Sequence, residues 1–207
     1  MQVYFQRLLW SLITILSVSF TSAAQPEWQL KKDKDEIQVY TMEDENSDFN
    51  PYKSVVIMEG NIHDFEALIK DSPRMKEWSE SVLHVEILEE LGDSIQIYYS
   101  MADAPFPIKN RDGIYQNSFR WLEEGKVLRI DVKLLPDFIE ANEDCERVRG
   151  WGYWQVEDVG QGNIQVICEM HIHPGGSIPS WLANAFADEN PYRNMIEIRK
   201  ILGRKTH

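Results

Sequence analysis

From Val82 to Pro174 the chain passes through six segments in which apolar and polar residues alternate, separated by turns such as Gly92-Asp93, Glu124-Gly125 and Gly160-Gln161-Gly162. A two-residue period makes a strand with one buried side, and connections this short join antiparallel neighbours. Such a run closes as an antiparallel sheet, and a sheet with one apolar face needs something laid over it. The cover follows at once. "PGGSIPSWLANAF" (174–186) has two glycines and then apolar residues at three- and four-residue spacing, the mark of a helix that folds back over the face just made.

The first part of the chain fits the same plan. "EIQVYTM" and "YKSVVIMEG" are rich in β-branched residues and read as strands, the second following the turn at Asn50-Pro51. In "IHDFEALIKDSPRMKEWSES" the period changes: Phe65, Leu68 and Ile69 share a helical face, and Pro73 ends that helix and opens a short turn reaching Trp78. The order is two strands, two short helices, about six antiparallel strands and a terminal helix, an α+β fold with the sheet curved around the last helix. With 207 residues, 43% of them hydrophobic, and no internal repeat, one domain with one core is expected.

The N-terminus stands apart. Arg7, an apolar run from Leu8 to Phe20 and the small residues Thr21, Ser22, Ala23 and Ala24 read as a secretory signal over 1–24, leaving 25–207 as the mature domain. The apolar run is shorter than the ~20 residues a spanning helix needs, so an uncleaved anchor is the weaker alternative. A periplasmic or secreted location follows. The formal charge of −13 repels phosphate backbones, which argues against nucleic-acid partners. A hairpin turning near Gly160 to Gly162 sets Cys168 opposite residue 154, so Cys145 is too far along the strand for a disulfide.

Several separated stretches together resemble the START (steroidogenic-acute-regulatory-related lipid transfer) domain family. They are "WQLKKDKDEIQVYT", "IKDSPRMKEW", "PFPIKNRDG" with its Arg111-Asp112 pair, and "HPGGSIPSWLAN" followed by "NPYRNMIEIRKIL", covering roughly residues 27 to 202. The resemblance implies a helix-grip fold, a curved antiparallel sheet wrapped around a long C-terminal helix with an internal hydrophobic tunnel that carries a lipid. Gly113 stands where the family usually has an aromatic after the Arg-Asp pair.

Alternation names the walls of such a tunnel. Ile95, Ile97, Tyr99 and Met101 on one strand and Leu128, Ile130, Val132 and Leu134 on another are expected to face inward, as are Gly113, Tyr115, Asn117, Phe119 and Trp121 on a third. Asn117 is then a lone amide among aromatics, and a buried amide needs partners. Either it meets the polar end of a ligand together with the hydroxyls of Tyr99 and Tyr115 and with Arg111, or a neighbouring carbonyl satisfies it. Met101, Phe119, Ile130, Val132, Trp154, Met170, Trp181, Phe186 and Met195 are the candidate apolar contacts. Gly150 and Gly152, on the face of Trp154 and Val156, signal either close approach of a ligand or backbone, or a bend in the strand.

Catalytic patterns are weak. Glu169, His171 and His173 share one face of a strand, as metal ligands would, but that face lies opposite Ile164, Val166 and Met170 and is read as solvated. No metal, catalytic residue or cofactor is assigned. The reading is a monomeric lipid-binding or lipid-transfer protein, not an enzyme, that touches membranes transiently. The alternative is a helix-grip enzyme, cyclase- or hydrolase-like, acting on a hydrophobic substrate. Pro191, after Asn190, is expected to kink a lid running from Ile178 to Leu202 and hinged at Gly175-Gly176.

Overall fold

The computed structural model describes residues 27–44, 47, 49–184 and 187–203. Ten strands form one antiparallel-dominated sheet: β1 (Gln29–Lys34), β2 (Ile37–Thr41), β3 (Tyr52–Glu59), β4 (Val82–Leu91), β5 (Ile95–Ala102), β6 (Asn110–Glu123), β7 (Val127–Leu134), β8 (Cys145–Arg147), β9 (Arg149–Gly160) and β10 (Asn163–His173). Their order across the sheet is β1-β2-β3-β10-β9-β7-β6-β5-β4, with the short β8 parallel to the start of β6. Helices α1 (Ile62–Lys70) and α2 (Met75–Trp78) follow β3, joined by a 3-10 turn over Ser72–Arg74, and α3 (Ser180–Asn184) and α4 (Glu189–Gly203) end the described chain. Among the described residues no helix is long and apolar enough to cross a membrane. The expected signal segment lies outside the described residues.

β1 is the element that alternation does not reveal. Its sequence, QLKKDK, is almost wholly exposed, and it is held as a strand by pairing with β2 through a tight turn in which Asp35 and Glu36 both take positive φ, 52° and 61°. It is also an edge, as β4 is at the other end. Their pairings carry bulges, at Leu30/Lys32 on β1 and at Val82/His84 and Ile87/Glu89 on β4.

α1 begins where Asn61 caps it, its side chain accepting from the Asp64 amide at 2.9 Å, and it buries Ile62, Phe65, Leu68 and Ile69. Phe65 and Trp78 both meet Trp154 of β9, at ring separations of 5.7 and 6.1 Å, which fixes α1 and α2 against the inner face of the sheet. α4 packs Met195, Ile198 and Leu202 into the same core, over β2 and β3. Its position is secured to the β1–β2 hairpin by Lys32 with Glu189, Tyr192 with Asp35, and Arg199 donating to the Asp35 carbonyl at 2.8 Å. The expected continuous helix from 178 to 202 with a kink at Pro191 is not what forms. α3 ends at Asn184, and Pro191 lies in the first turn of α4, where its missing N–H has no helical partner to lose. Proline here starts a helix instead of bending one.

Pairing of Cys168 with Trp154 matches the hairpin register expected from the sequence. Both cysteines are buried free thiols.

Candidate functional site

The inner face of the sheet is written in cross-strand rows. Val132 of β7 pairs with Asn117 of β6, which pairs with Gln96 of β5; one row on, Leu134 pairs with Tyr115, which pairs with Tyr98. Leu128, Ile130, Val132 and Leu134 are all buried in the core, as alternation on β7 requires. Phe119, Trp154, Met170 and Met195 join them, so eight of the expected site residues (Tyr115, Asn117, Phe119, Ile130, Val132, Trp154, Met170 and Met195) sit on this inner side.

The expectation for β5 is overturned. Because Tyr98 pairs with Tyr115 and Gln96 with Asn117, the inward set on β5 is Gln96, Tyr98 and Ser100, and Ile95, Ile97, Tyr99 and Met101 point outward. Tyr99 and Met101 are therefore not on the inner wall. Asn142, Cys145 and Asp112 of β6 lie around the Tyr99 hydroxyl on that outer face, where Ile97 and Ile114 are buried. The strand is apolar on its covered outer side and polar on its inner side, the reverse of the usual pattern. Gln96 is polar because it fastens a helix: its amide donates to the Lys70 carbonyl at 2.8 Å, and its oxygen accepts from Ser72.

Tyr98 and Tyr115 stack, with ring centroids 5.3 Å apart and planes within 10°. A side chain at 113 would run into the Tyr115 ring and Val148 within 2.7 Å, so Gly113 is small because Tyr115 already covers it. Burial raises the pKa of Tyr115 to about 12, aided by the charge of Asp112. Burial also raises Tyr98, together with Tyr115, and raises Tyr52 of β3 with help from Cys168 and Tyr115. All three stay neutral hydroxyls at any physiological pH. Asn117, 2% exposed, lies close enough to the Tyr98 hydroxyl to offset part of the rise in its pKa, and its own Oδ1 has no hydrogen-bond partner among the described residues. Ser54 Oγ, on the inner face of β3, is likewise unpartnered.

The two glycines of β9 are explained by backbone. A Cβ on Gly150 would lie 2.0 Å from the His171 carbonyl oxygen, and one on Gly152 would meet the Glu169 carbonyl and the Met170 sulfur, each at 2.3 Å. The inner volume beside Gly152 is taken by Met170.

Arg111 sits at the rim. Its guanidinium donates to the carbonyls of Lys109, Pro174 (3.2 Å) and Gly175 (3.5 Å), tying the start of β6 to the segment that leads into α3. Partial burial lowers its pKa, opposed by Glu146. Gly175 and Gly176 take successive positive φ values of 69° and 62°, which few residues other than glycine accept. Trp181 on α3 is 71% exposed, outside the core, and Phe106 in the loop between β5 and β6 is 97% exposed. Phe186 lies outside the described residues.

Glu169 and His171 bond to each other at 3.0 Å, Tyr153 donates to the second Glu169 oxygen, and the His171 ring stacks on Trp151 at 3.9 Å. His173 accepts from the Gly175 amide. Their polar atoms are used within the outer face, and no group of three or more His, Cys, Asp or Glu among the described residues is placed to hold a metal ion.

Sequence reasoning missed Tyr98 and Tyr52. The doublet Tyr98-Tyr99 does announce that one tyrosine faces inward, but only pairing with β6 says which.

A START domain family model matches residues 16–204. An uncharacterised protein of Pseudomonas aeruginosa is 30% identical over 179 residues, covering 86% of this chain and 88% of that protein. Human phosphatidylcholine transfer protein is 27% identical over 179 residues, covering 84% of this chain and 82% of its own length. Among solved structures, a STAR-related lipid transfer protein from Xanthomonas axonopodis superposes with a TM-score of 0.78 at 30% identity, covering 84% of this chain and 98% of that fragment. Human StAR-related lipid transfer protein 5 gives the same TM-score of 0.78 at 14% identity, covering 87% and 88%, and so shares the fold.

Proposed function

Because the chain belongs to the START domain family, we propose that it is an exported, non-enzymatic carrier that encloses one lipid between the inner face of the sheet and α4 and moves it between membranes. Lipid binding and transfer is the function that the family and its relatives support. The observation that carries the finer reading is the character of the inner face. Aliphatic and aromatic side chains make up most of it, and its polar groups are neutral: Gln96 and Ser100, tyrosine hydroxyls that burial keeps protonated, and three buried atoms without a partner among the described residues, Asn117 Oδ1, Ser54 Oγ and the Trp78 indole nitrogen. Such a surface suits an apolar body with one polar end. Proton-transfer chemistry needs a positioned group that titrates near the working pH, and the buried carboxylate, Asp112, is turned to the outer face and paired with Arg147.

A fully enclosed lipid leaves only if something moves. Gly175-Gly176 supplies a backbone hinge, and the Arg111 contacts to Pro174 and Gly175 anchor its fixed side to β6. Phe106 and Trp181 supply apolar surface for a passing contact with a bilayer, where aromatic rings favour the headgroup region. With a formal charge of −13, that contact is made by apolar insertion and not by attraction to anionic lipids. The segment 1–24 supports export.

Protein purified from its own host should carry one lipid per chain by native mass spectrometry. Ile130 is 0% exposed at the middle of the inner face. Ile130→Arg, which buries an unpaired charge, and Ile130→Trp, which fills the space without one, should both abolish the load. A folded Ile130→Trp variant that still carries a full load would place the lipid elsewhere.

A further inference from the structure

Resting on the carrier reading above, we propose that the polar end of the enclosed lipid is an uncharged hydrogen-bond donor, a free hydroxyl, received by the side-chain oxygen of Asn117. Asn117 sits between a saturated neighbour and an apolar one. On the β5 side, Gln96 is spent on Lys70 and Ser72 and also reaches Glu90 at 3.2 Å; on the β7 side stands Val132. Its Oδ1 is buried and without a partner among the described residues. An amide oxygen can only accept, and a buried acceptor left unmade carries the full cost of its lost hydration. The complement must therefore bring a proton.

The common lipid polar groups sort themselves against that requirement. A phosphodiester or a carboxylate carries negative charge and no proton, and would set acceptor against acceptor. Esters and ethers have no proton to give. An ammonium would donate, but no ionised carboxylate on the inner face of the described residues balances it, since Asp112 is bonded through both oxygens to Arg147. Of the cations near the inner side, Arg111 has its guanidinium occupied by three carbonyls at the rim, and Lys70, over the Phe119 ring at 5.0 Å, is paired with Glu66. A hydroxyl meets every condition: it gives its proton to Asn117 and leaves its own oxygen for a neighbouring tyrosine. Diacylglycerols and sterols share that chemistry, and phosphatidylcholine, the cargo named for the mammalian relatives, lacks it.

The test uses two matched pairs: 1,2-dioleoylglycerol with its methyl ether, and cholesterol with its methyl ether. The wild-type protein is equilibrated with vesicles of dioleoylphosphatidylcholine containing both members of a pair at equal mole fraction, and bound lipid is counted by mass spectrometry. The pair that loads distinguishes a glyceride from a sterol. Within it the alcohol should exceed the ether by about tenfold or more, and in Asn117→Leu, which keeps the side-chain branching but not the acceptor, that ratio should fall towards one. Alcohol and ether taken equally by the wild type, or a load made up of the vesicle phosphatidylcholine, overturns the proposal and leaves the carrier reading standing. No bound lipid of any kind removes both. Should Asn117→Leu fold poorly, the wild-type ratio decides.

Discussion

Asp112→Ala should be among the most damaging single changes in this chain, although the residue touches no ligand. Asp112 is 0% exposed and Arg147 8%. Both carboxylate oxygens are engaged by the guanidinium, Oδ1 with Nε and Oδ2 with Nη2, each at 2.9 Å. The same guanidinium also donates to the carbonyls of Pro136, Ile139 and Glu140. One side chain thus gathers the whole of residues 136–140 onto the outer face of β6. Removing the carboxylate leaves a buried cation with carbonyl dipoles but no counter-charge, and breaking such a pair costs about 3–5 kcal/mol. The three surviving carbonyls put Asp112→Ala near the lower end, about 3 kcal/mol, or a fall in melting temperature of about 6–12 °C for a domain of this size. Replacing the pair together, Asp112→Leu with Arg147→Met, should recover most of the loss. Urea unfolding of wild type, both single variants and the double variant measures the coupling directly. A single-variant cost below about 1 kcal/mol, or a double variant that merely adds the two singles, would refute the reasoning. The pair also supports the gate, because the Arg147 carbonyl and the Glu146 side chain abut Gly175 and Gly176. Lipid exchange should therefore quicken in Asp112→Ala at temperatures where the variant is still folded.

Two further outcomes are expected. Phe106→Ser and Trp181→Ser, both at exposed positions, should slow transfer between vesicles several-fold without changing the lipid carried or the unfolding midpoint; unchanged transfer rates in the double variant would remove the bilayer contact from these residues. Stability should begin to fall above about pH 9, where the buried Cys168 thiol resists ionising, and fall more steeply above about pH 10, because Tyr52, Tyr98 and Tyr115 also have folded pKa values raised above the unfolded one, so the unfolded chain ionises first. Each contributes a slope of about 1.4 kcal/mol per pH unit up to its folded pKa, about 12 for Tyr115. Tyrosine absorbance that titrates fully near pH 10 with no loss of circular dichroism would contradict that burial.

Where periodicity and burial coincide, as on β7 and β10, the inner face could be written down from the residues alone. β5 shows why the rule fails elsewhere: alternation reports which side is apolar, not which side is inner. The loop through Pro136, Glu140 and Asn142 covers the outer side of β5 and β6, a tertiary fact with no local trace. Polar Gln96 looks outward in the sequence because its partners, Lys70 and Ser72, are more than twenty residues away. β1 was hidden for the opposite reason, since an edge strand buries little and its order comes from β2. Asn117 was legible as a lone amide, but the missing partner on its oxygen emerges only once both neighbouring strands are in register.

The open sheet has two ends, and this has a bearing on how such a protein keeps to itself. A carrier that displays bare aromatic rings on its loops is exposed to a second hazard, the addition of another chain's strand along an unpaired ladder. Both terminal strands are poor templates for that. β1 reads Lys-Lys-Asp-Lys over its last four positions, β4 carries His84, Glu86, Glu89 and Glu90, and each is bent by bulges that interrupt the register. Charge and kinks of this kind discourage edge-to-edge growth. The two most exposed large apolar side chains among the described residues, Phe106 and Trp181, lie off the sheet, where they serve the meeting with a lipid surface, and the borders, although they show Leu30, Leu83, Ile87 and Leu91, are broken by charge and bulges into poor templates for polymerisation.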